Sequence, residues 1–573
     1  MTRICGDASD FAASALHGYC LAHHDIVRPV RGGVVRRTQS DNGKVALVVG
    51  GGSGHYPAFV GYVGKGFAEA SVAGDIFASP STQAIINVAR AANRGGGVIL
   101  GYGNYAGDVL NFGIAAERLR DEGIDVRVLA TTDDVASADD SNRAMRRGIA
   151  GDLTIFKIAG GAAEAGLPID DVDRIGRHAN DWTRTFGVAF GGCTIPGEKD
   201  KLFTVPKGRM ALGLGLHGEP GIDEQDIPDV QHLAKLLFER VMNEAPAGAP
   251  AKVAVLLNGL GSTKYEELFV LWEALGVLFV DAGLTVVAPL VGEYATSLEM
   301  AGCSLTLTWL DDELEQFWRA EVHTPALNRA RVDGEALLAL PAEESSVFSF
   351  EKASSVDGEA GGRCVAGALL KLSHALAKAE AELGRIDAQA GDGDHGQGMA
   401  RGSAAAERMA LLAAKAGAGA MSVLGAAADA WADRAGGTSG ALWGEGLRAF
   451  STALSDDVKP TAEQLVRGAR LAMDRIMALG GAKPGDKTLI DALAPFVEAF
   501  DHGVKSGRPV VDAWRMGAEA SEKAADGTRD LTPRLGRARN HAQRSIGLPD
   551  AGALSLALAA RVVGEFISNK TDY

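Results

Sequence analysis

The sequence contains few cysteines, and none of them is arranged to form a structural site. Its 573 residues include five cysteines, with no Cys-x-x-Cys pair. This argues against a disulfide framework or a zinc site and favours a reducing compartment. No stretch approaches about 18 uninterrupted apolar residues, and the first residues lack a basic segment followed by an apolar run. We therefore expect a cytoplasmic protein with neither a membrane span nor a signal peptide.

Positive charge is also in the minority. Lysine and arginine together number 57 against 73 acidic residues, so the net charge is -16 and the pI is near 5.3. Such a surface would repel the phosphates of nucleic acid, and we expect no nucleic-acid partner. A phosphorylated small molecule is still compatible, because it needs only a local cation or a metal ion. Glycine, by contrast, is abundant, with 74 residues against a usual share of about 7%.

The first 330 or so residues alternate short apolar runs with helix-like segments. A chain of this length divides into several domains. Three apolar runs without alternation are typical of strands buried on both faces; they are residues 45–49, 98–100 and 126–130. Helical spacing lies between them. This order predicts an α/β domain over residues 1–330, with lobes of about 1–185 and 186–330.

The composition changes after this domain. Residues 331–360 contain two serine pairs and several acidic residues with weak periodicity, and they predict a linker. From residue 361 to 573 the chain is alanine-rich, and strand signals nearly vanish. Long runs of helix formers with apolar faces recur; they are residues 365–383, 401–416, 420–434 and 462–478. We therefore predict an all-helical second domain.

Three aspartates lie within eight residues of this second domain, at Asp387, Asp392 and Asp394. Carboxylates this close repel one another unless a cation lies among them. Magnesium takes hard oxygen ligands and usually shares them with substrate phosphates. The EF-hand pattern does not fit, since no glutamate closes the loop. The cluster predicts a magnesium site, and a solvated Asp-Gly turn is the alternative.

Two glycine-rich loops follow in the same domain. Residues 436–440 offer successive backbone N–H groups before a helix-forming run, which is a place for phosphate. Residues 480–488 form a second such loop that adds lysines. Each loop alone could be a plain turn. The Walker A pattern is absent. Together with the acidic cluster, the loops predict a nucleotide with metal ions.

In the first domain, polar residues follow the predicted strands. His55 ends the glycine-rich turn after the first strand, and Asp108 follows the second. Ligands of open α/β sheets bind outside the carboxyl ends of strands, so we expect these two side chains to converge. A helix N-cap is the alternative role of Asp108. His217 lies between glycines, where its imidazole could act as a base, a hydrogen-bond donor or a nucleophile.

The motifs taken together resemble the dihydroxyacetone kinase family in its single-chain, ATP-dependent form. They run in the family order over nearly the whole chain. The matching segments are GGGSGH at 50–55, GDIFASPS at 74–81, NYAGDVLNF at 104–112, RGIAGD at 147–152, LGLHGEPG at 214–221, DAQAGDGDHG at 387–396, GGTSG at 436–440, GDKTLIDAL at 485–493 and DAGALS at 550–555.

The resemblance implies a ketose-binding domain of two α/β lobes and an antiparallel helical barrel that holds Mg-ATP. His217 would bind the substrate carbonyl covalently as a hemiaminal, His55 would assist, and Asp108 would take the proton of the attacking hydroxyl. Asp387, Asp392 and Asp394 would bind two magnesium ions. The implied substrate-binding residues are Gly52, Ser53, Gly54, Gly103 and Asn104. The implied nucleotide-binding residues are His395, Gly396, Gly437, Thr438, Ser439, Gly485, Arg537, Asp550 and Gly552. A homodimer is also implied.

One departure bears on the substrate. Many dihydroxyacetone kinases carry a lysine before the Asn-Tyr pair, where this chain has Gly103, and Tyr56 stands where glutamate is common. These segments resemble the subgroup acting on the four-carbon ketose erythrulose, and we expect erythrulose, as the D or the L form, to be preferred. The alternatives are dihydroxyacetone itself, a relative that uses a phosphoenolpyruvate-dependent phosphocarrier, a ketose-binding regulator without turnover, and a side activity on FAD.

Overall fold

The structure is a computed structural model that describes residues 4–330, 350–535 and 545–569. The chain divides into two compact units, residues 1–336 and 337–573. The helices of the first unit are α1 (Phe11–Ala22), α2 (Thr82–Ala92), α3 (Ala106–Asp121), α4 (Gly151–Glu164), α5 (Ile169–Asp181), α6 (Val230–Met242), α7 (Tyr265–Asp281) and α8 (Asp312–Arg319). Its strands are β1 (Val27–Val30), β2 (Gly33–Arg36), β3 (Ala46–Ser53), β4 (Ala70–Ile76), β5 (Val98–Gly103), β6 (Val126–Thr131), β7 (Thr183–Gly191), β8 (Arg209–Leu212), β9 (Asp223–Asp226), β10 (Lys252–Gly259), β11 (Thr285–Val286), β12 (Leu290–Gly292), β13 (Ala301–Trp309), β14 (Val322–His323) and β15 (Asn328–Arg329).

Two sheets form the first unit. The first has the order β1-β2-β4-β3-β5-β6, and its β4, β3, β5 and β6 are parallel. The second has the order β11-β10-β13-β7-β8-β9, with β12 also paired to β10, and it is largely antiparallel. Helix α4 is almost wholly buried because it contacts strands of both sheets. The α/β class predicted for this region is confirmed.

Parallel pairing places the carboxyl ends of β3 and β5 at one edge of the first sheet. Strand β3 is buried over nearly its whole length, and β5 is buried throughout, which explains the continuous apolar runs. β3 leads into Gly54 and His55, and β5 leads into Asn104. The strand order therefore brings the predicted sugar-binding segments together.

The second unit is a closed ring of helices. They are α9 (Val356–Ala390), α10 (His395–Lys415), α11 (Ala420–Ala435), α12 (Gly437–Ser451), α13 (Ala462–Gly480), α14 (Ile490–Lys505), α15 (Val510–Gly527) and α16 (Ala551–Ser568). Each helix contacts the next along the chain, and α16 contacts α9 to close the ring. The predicted antiparallel helical barrel is confirmed. Residues 331–349 of the predicted linker lie outside the described residues, and Ser355 caps the start of α9.

The barrel interior is apolar and incompletely filled. A cavity of about 210 Å³ is lined by residues that include Leu369, Trp443, Phe496 and Trp514. Within the described part of the chain, α16 is the one helix long and apolar enough to cross a membrane. It packs against α9, α14 and α15, and its buried residues include Ala553 and Ala557. Its apolar character is thus accounted for by its place in the ring.

Candidate active site

His55 is held rigidly at the end of β3. Gly54 has a φ of 103°, a left-handed conformation that glycine adopts without strain and that turns the chain after the strand. The imidazole is 4% exposed, and its Nδ1 lies 2.7 Å from the carbonyl oxygen of Thr296. One ring face stacks on Phe77, with centroids 5.1 Å apart. These contacts leave Nε2 as the nitrogen that can act on a ligand.

His217 meets His55 at that nitrogen. The two Nε2 atoms are 3.0 Å apart, although the residues are 162 positions apart in the sequence. On the other side of its ring, Nδ1 of His217 lies 2.9 Å from Oε1 of Glu219, while the His217 backbone N–H donates to Oε2 at 3.0 Å. The ring of Tyr105 packs edge-on against His217 at 4.8 Å. The His217 ring is thus fixed from two directions.

The hydrogen bonds determine how many protons the two histidines share. Nδ1 of His55 faces a carbonyl and Nδ1 of His217 faces a carboxylate, so both of these nitrogens must be N–H donors. If both rings were neutral, two lone pairs would face each other across 3.0 Å. One further proton between the Nε2 atoms removes this repulsion. The pair therefore carries one positive charge, opposite the negative charge of Glu219.

Burial decides which ring carries the charge. Desolvation, followed by repulsion from His217, lowers the pKa of His55 to about 3. Burial opposes ionisation of Glu219, but hydrogen bonds and attraction from His217 outweigh it and lower the pKa of Glu219 to about 2. Of the two rings, His55 is therefore the one that burial keeps neutral, which makes it the acceptor in the contact between the Nε2 atoms.

Asp108 lies in the first turn of α3 and is 8% exposed. The helix N-cap is Tyr105, so the alternative role of Asp108 as an N-cap is wrong. Burial raises the pKa of Asp108 to about 6, opposed by a hydrogen bond from Ser79 and by His217. Its Oδ1 is buried and has no hydrogen-bond partner among the described residues. An acidic group with such a pKa and a free acceptor atom is suited to removing a proton near neutral pH.

One small cavity connects these groups. His55, His217 and Asp108 line it together with the predicted Gly52 and Gly103. The other three predicted sugar-binding residues are not among the described residues that line it. The Ser53 hydroxyl donates to the carbonyl of Gly74, and Asn104 donates to the carbonyl of Arg146, so these side chains brace neighbouring loops.

Several residues of the site were not singled out from the sequence. Glu219 and Asp152 stand inside two of the matching motifs, so their segments carried a signal although the residues themselves did not. Tyr105 stands in a third. Thr296 comes from a loop 241 positions after His55, and no local pattern marks it.

In the helical unit, the three predicted metal ligands converge. Carboxylate oxygens of Asp387, Asp392 and Asp394 all lie within 4.8 Å of one another. Asp387 lies in the last turn of α9. Its Oδ2 accepts the backbone N–H of Gly393 at 2.9 Å, which folds the following loop back towards the helix. Gly393 has a φ of 82°, so the loop requires a residue without a side chain there. Three hard oxygen donors in this arrangement fit a magnesium ion.

The first glycine-rich loop meets the conditions for phosphate contact, whereas backbone N–H groups of the second loop are engaged within the protein. Gly436 and Gly437 have φ values of 68° and 60°, and a Cβ at either would meet open space. Helix α12 starts at Gly437 without a side-chain cap, so the N–H groups of its first turn, which includes Thr438 and Ser439, can face a ligand. In the second loop, the Gly485 N–H donates to Asp491 at 2.5 Å.

The remaining predicted nucleotide-binding residues lie at or near the starts of α10 and α16. Nε2 of His395 lies 2.9 Å from the Ser555 hydroxyl, which ties the two helices together. Gly396 packs against α9 so closely that a Cβ would lie 2.0 Å from the Glu380 carbonyl oxygen. Asp550 caps α16 through the Ala553 N–H at 2.7 Å, and burial raises its pKa to about 6. Gly552 follows in the first turn. Arg537 lies outside the described residues.

The order of the helices explains why these segments meet. Neighbouring helices of the ring run antiparallel, so alternate connections lie at the same end. The connections α9–α10, α11–α12, α13–α14 and α15–α16 carry the acidic cluster, the first glycine-rich loop, the second glycine-rich loop and the Asp550 segment. All four predicted nucleotide-binding segments therefore lie at one end of the barrel.

Comparison with known proteins identifies both units. Residues 17–326 match the Dak1 domain and residues 389–565 match the DAK2 domain. The chain is 51% identical to a D-erythrulose kinase of Mycolicibacterium smegmatis, with 100% of both chains covered. It is 49% identical to an L-erythrulose kinase of Pectobacterium atrosepticum, with 100% of this chain and 97% of the relative covered. It is also 47% identical to an L-erythrulose 1-kinase of M. smegmatis, with 99% and 100% covered.

Solved structures agree with these matches. The dihydroxyacetone kinase of C. freundii in its native form covers 98% of this chain, with 99% of its own chain matched, at a TM-score of 0.61 and 28% identity. The same enzyme in complex with AMP-PNP and Mg2+ matches over the same shares at a TM-score of 0.60 and 27% identity. These matches support ATP binding by the present chain. The chain therefore belongs to the dihydroxyacetone kinase family in its single-chain form, and it is a ketose kinase that transfers a phosphoryl group to an alcohol.

Proposed function

We propose that the protein phosphorylates a primary hydroxyl of erythrulose with ATP while the sugar is bound to His217 as a hemiaminal. Residues 1–330 bind the sugar, residues 361–573 bind Mg-ATP, and residues 331–360 connect them. The single observation that carries the proposal is the contact of 3.0 Å between Nε2 of His217 and Nε2 of His55. It gives the nucleophile a neighbour that can take its proton and return it.

The covalent step balances with these residues alone. Nε2 of His217 transfers its proton to Nε2 of His55, and the freed lone pair attacks the ketone carbon. As the N–C bond forms, the C=O π electrons move to oxygen, which takes the proton back from His55. The product is a neutral hydroxyl and a ring with one positive charge, as before the reaction. Glu219, 2.9 Å from Nδ1, faces that charge throughout.

Covalent capture solves a selectivity problem that contacts to a small polyol cannot. A molecule of three or four carbons offers few atoms to bind. Glycerol lacks a carbonyl, so His217 has nothing to attack. We therefore expect glycerol to be rejected although its hydroxyls match those of the substrate.

Phosphoryl transfer needs positioning and charge neutralisation more than covalent help. Asp108 takes the proton of the attacking hydroxyl through Oδ1, which accepts no hydrogen bond from the described residues. Asp387, Asp392 and Asp394 would hold the magnesium, and we propose two ions, the number that the family resemblance implies. Bound Mg2+ would neutralise phosphate oxygens of ATP.

Two observations favour erythrulose over dihydroxyacetone. The relatives near half identity are erythrulose kinases, and they include both enantiomers. Gly103 also lines the cavity without a side chain, where a lysine would occupy space. We expect a higher kcat/KM for D- or L-erythrulose than for dihydroxyacetone in an ATP-coupled assay with each ketose in turn. A higher value for dihydroxyacetone would reverse the assignment.

The hemiaminal has its own test. With ketose labelled with 13C at the carbonyl, binding should replace the carbonyl resonance by that of a tetrahedral carbon. His217→Ala should lose this signal, whereas Asp108→Asn should keep it and lose turnover. Retention of the carbonyl resonance in the wild-type complex would exclude covalent capture. We further propose a cytoplasmic homodimer, which sedimentation at micromolar concentration would check.

A further inference from the structure

A second carboxyl group lines the ketose cavity, and the mechanism above does not use it. Asp152 is the second residue of α4 and is 3% exposed. It lines the same cavity as His55, His217 and Asp108. Its Oδ1 forms a short hydrogen bond with the hydroxyl of Thr131. Buried polar groups on the wall of a binding cavity fix the orientation of a ligand.

A third carboxyl group, Asp133, determines the protonation of Asp152. Oδ1 and Oδ2 of Asp133 accept the backbone N–H groups of Ile149 at 3.0 Å and Gly151 at 2.9 Å. These donors stabilise a charge on Asp133. Burial, followed by the charge of Asp133, raises the pKa of Asp152 well above its ordinary value. Burial raises the pKa of Asp133 as well, but the hydrogen bonds from Ile149 and Gly151 oppose that rise. Of the two carboxyl groups, Asp152 is therefore the one that holds a proton more readily.

The hydrogen bonds of Thr131 agree with a neutral Asp152. The Thr131 hydroxyl lies 3.2 Å from the carbonyl oxygen of Tyr102, to which it donates. Its oxygen can then accept the proton of Asp152. A carboxylic acid that donates from one oxygen keeps the other as an acceptor. Asp152 can thus bind a sugar hydroxyl without bringing a second negative charge next to Asp108.

Glycines leave the cavity wall next to Asp152 without side chains. A Cβ at Gly148 would lie 2.9 Å from Oδ1 of Asp152 and 2.1 Å from Oγ1 of Thr131. Gly103 packs against Gly148, where a Cβ would lie 3.1 Å from the Gly148 carbonyl oxygen. Apart from the two histidines and Asp108, the wall carries two polar side chains among the described residues. They are Tyr105, whose ring packs on His217, and Asp152.

We propose that Asp152 determines specificity by hydrogen-bonding the hydroxyl that a four-carbon ketose has and dihydroxyacetone lacks. This inference rests on the proposed function, because it requires the ketone carbon to be held at His217 and the reacting hydroxyl at Asp108. The additional hydroxyl must then find a partner elsewhere on the wall. Asp152 provides one, and dihydroxyacetone gains nothing from it.

The test compares Asp152→Asn with Asp152→Ala, using D-erythrulose, L-erythrulose and dihydroxyacetone with Mg-ATP. Asparagine is neutral and nearly isosteric, so it should keep kcat/KM for erythrulose within about threefold of wild type. Alanine should lower that value by about 10- to 100-fold and change the value for dihydroxyacetone by less than about threefold. Asp152→Ser keeps a hydroxyl for Thr131 but shortens the side chain, and it should behave like alanine if the alanine variant does not fold.

Two results would overturn the inference. Equal losses of kcat/KM for the erythruloses and for dihydroxyacetone in the alanine or serine variant would assign Asp152 to packing alone. An asparagine variant as poor as alanine would mean that Asp152 acts as a carboxylate. Failure of the proposed function looks different, because the wild-type enzyme itself would then show a higher kcat/KM for dihydroxyacetone than for either erythrulose.

Discussion

The carboxylate of Glu219 lies 2.9 Å from Nδ1 of His217, on the nitrogen opposite the one that faces His55. Glu219, two residues after His217 in the same turn, therefore orients the His217 ring and can stabilise a positive charge on it. The side chain of Arg147 lies 3.8 Å from Glu219 and also pairs with Asp134, which fixes the carboxylate in turn. The imidazole of His217 is thus positioned by a charge network and not by the cavity wall alone.

We expect Glu219→Gln to lower kcat/KM for the ketose by about 10- to 100-fold. The amide keeps the shape but removes the charge that stabilises the His217 imidazolium, and a hydrogen bond between charged groups contributes about 1.5–3 kcal/mol. Steady-state kinetics with ketose as the varied substrate measure the effect. Glu224→Gln, at an exposed position of β9, is the control and should be silent. A Glu219 variant with wild-type kinetics would remove the carboxylate from the mechanism.

The pH dependence of kcat/KM should report Asp108. Its pKa is raised to about 6, so the base becomes protonated and activity falls as the pH drops through about 6. His55, with a pKa lowered to about 3, stays neutral across the working range and adds no step. Asp108→Asn should lose about 100- to 10,000-fold of the rate. A pH profile of kcat/KM that is flat between about pH 5 and about pH 7 would argue against Asp108 as the base.

The buried carboxylate of Asp108 should also lower the stability of the folded protein at neutral pH. Because folding raises the pKa of Asp108, the charged form is penalised in the folded state above its folded pKa, and this penalty disappears below the unfolded value of 3.8. Asp108→Asn should therefore increase the free energy of unfolding at neutral pH by up to roughly 3 kcal/mol. The melting temperature should rise accordingly. The gain should shrink as the pH is lowered towards 4. Asp121→Asn, exposed at the end of the same helix, is the matched control.

The sequence predicts those parts of the fold and site that local patterns encode. Continuous apolar runs predict buried strands such as β5, and runs of helix formers predict the helical domain. The acidic cluster is local too, since its three aspartates lie within eight residues of the sequence. Local spacing therefore suffices to expect that these side chains converge.

Contacts between distant segments could not be read in this way. The partner of His55 through Nδ1 is Thr296, and that of His395 is Ser555, 160 positions away. Both depend on how strands or helices pack, which no local spacing shows. The protonation of Asp152 depends on its burial beside Asp133, so the RGIAGD segment alone does not show it.

Lys487 ties down the segment that follows α15. It is buried, and its Nζ donates to the carbonyl oxygens of Leu531 at 3.2 Å and Ser545 at 2.6 Å. Lys487→Met removes both charged hydrogen bonds, while the Ser545 carbonyl keeps the Leu548 N–H as a donor at 3.2 Å. We expect a loss of about 2–4 kcal/mol in the free energy of unfolding and a higher KM for ATP. Lys483→Met, exposed in the same loop, should change neither quantity, and equal effects of the two variants would contradict the prediction.

Replacement of Asp394 by asparagine should separate the metal site from the fold. The three carboxylates repel one another without an ion, so Asp394→Asn should leave the magnesium-free protein as stable as wild type or more stable. It should at the same time remove most of the rise in melting temperature that magnesium produces, and nearly all turnover with ATP.

Asp387→Asn provides the contrast. Asp387 also accepts the backbone N–H of Gly393, so its replacement should lower stability with or without magnesium. Asp474→Asn, exposed on α13, should match wild type in every measurement. Thermal unfolding with and without magnesium and an ATP-coupled assay decide between the cases. Full activity in the Asp394→Asn variant would mean that the cluster is a solvated turn, because a magnesium-dependent phosphoryl transfer loses rate when a ligand of the metal is removed.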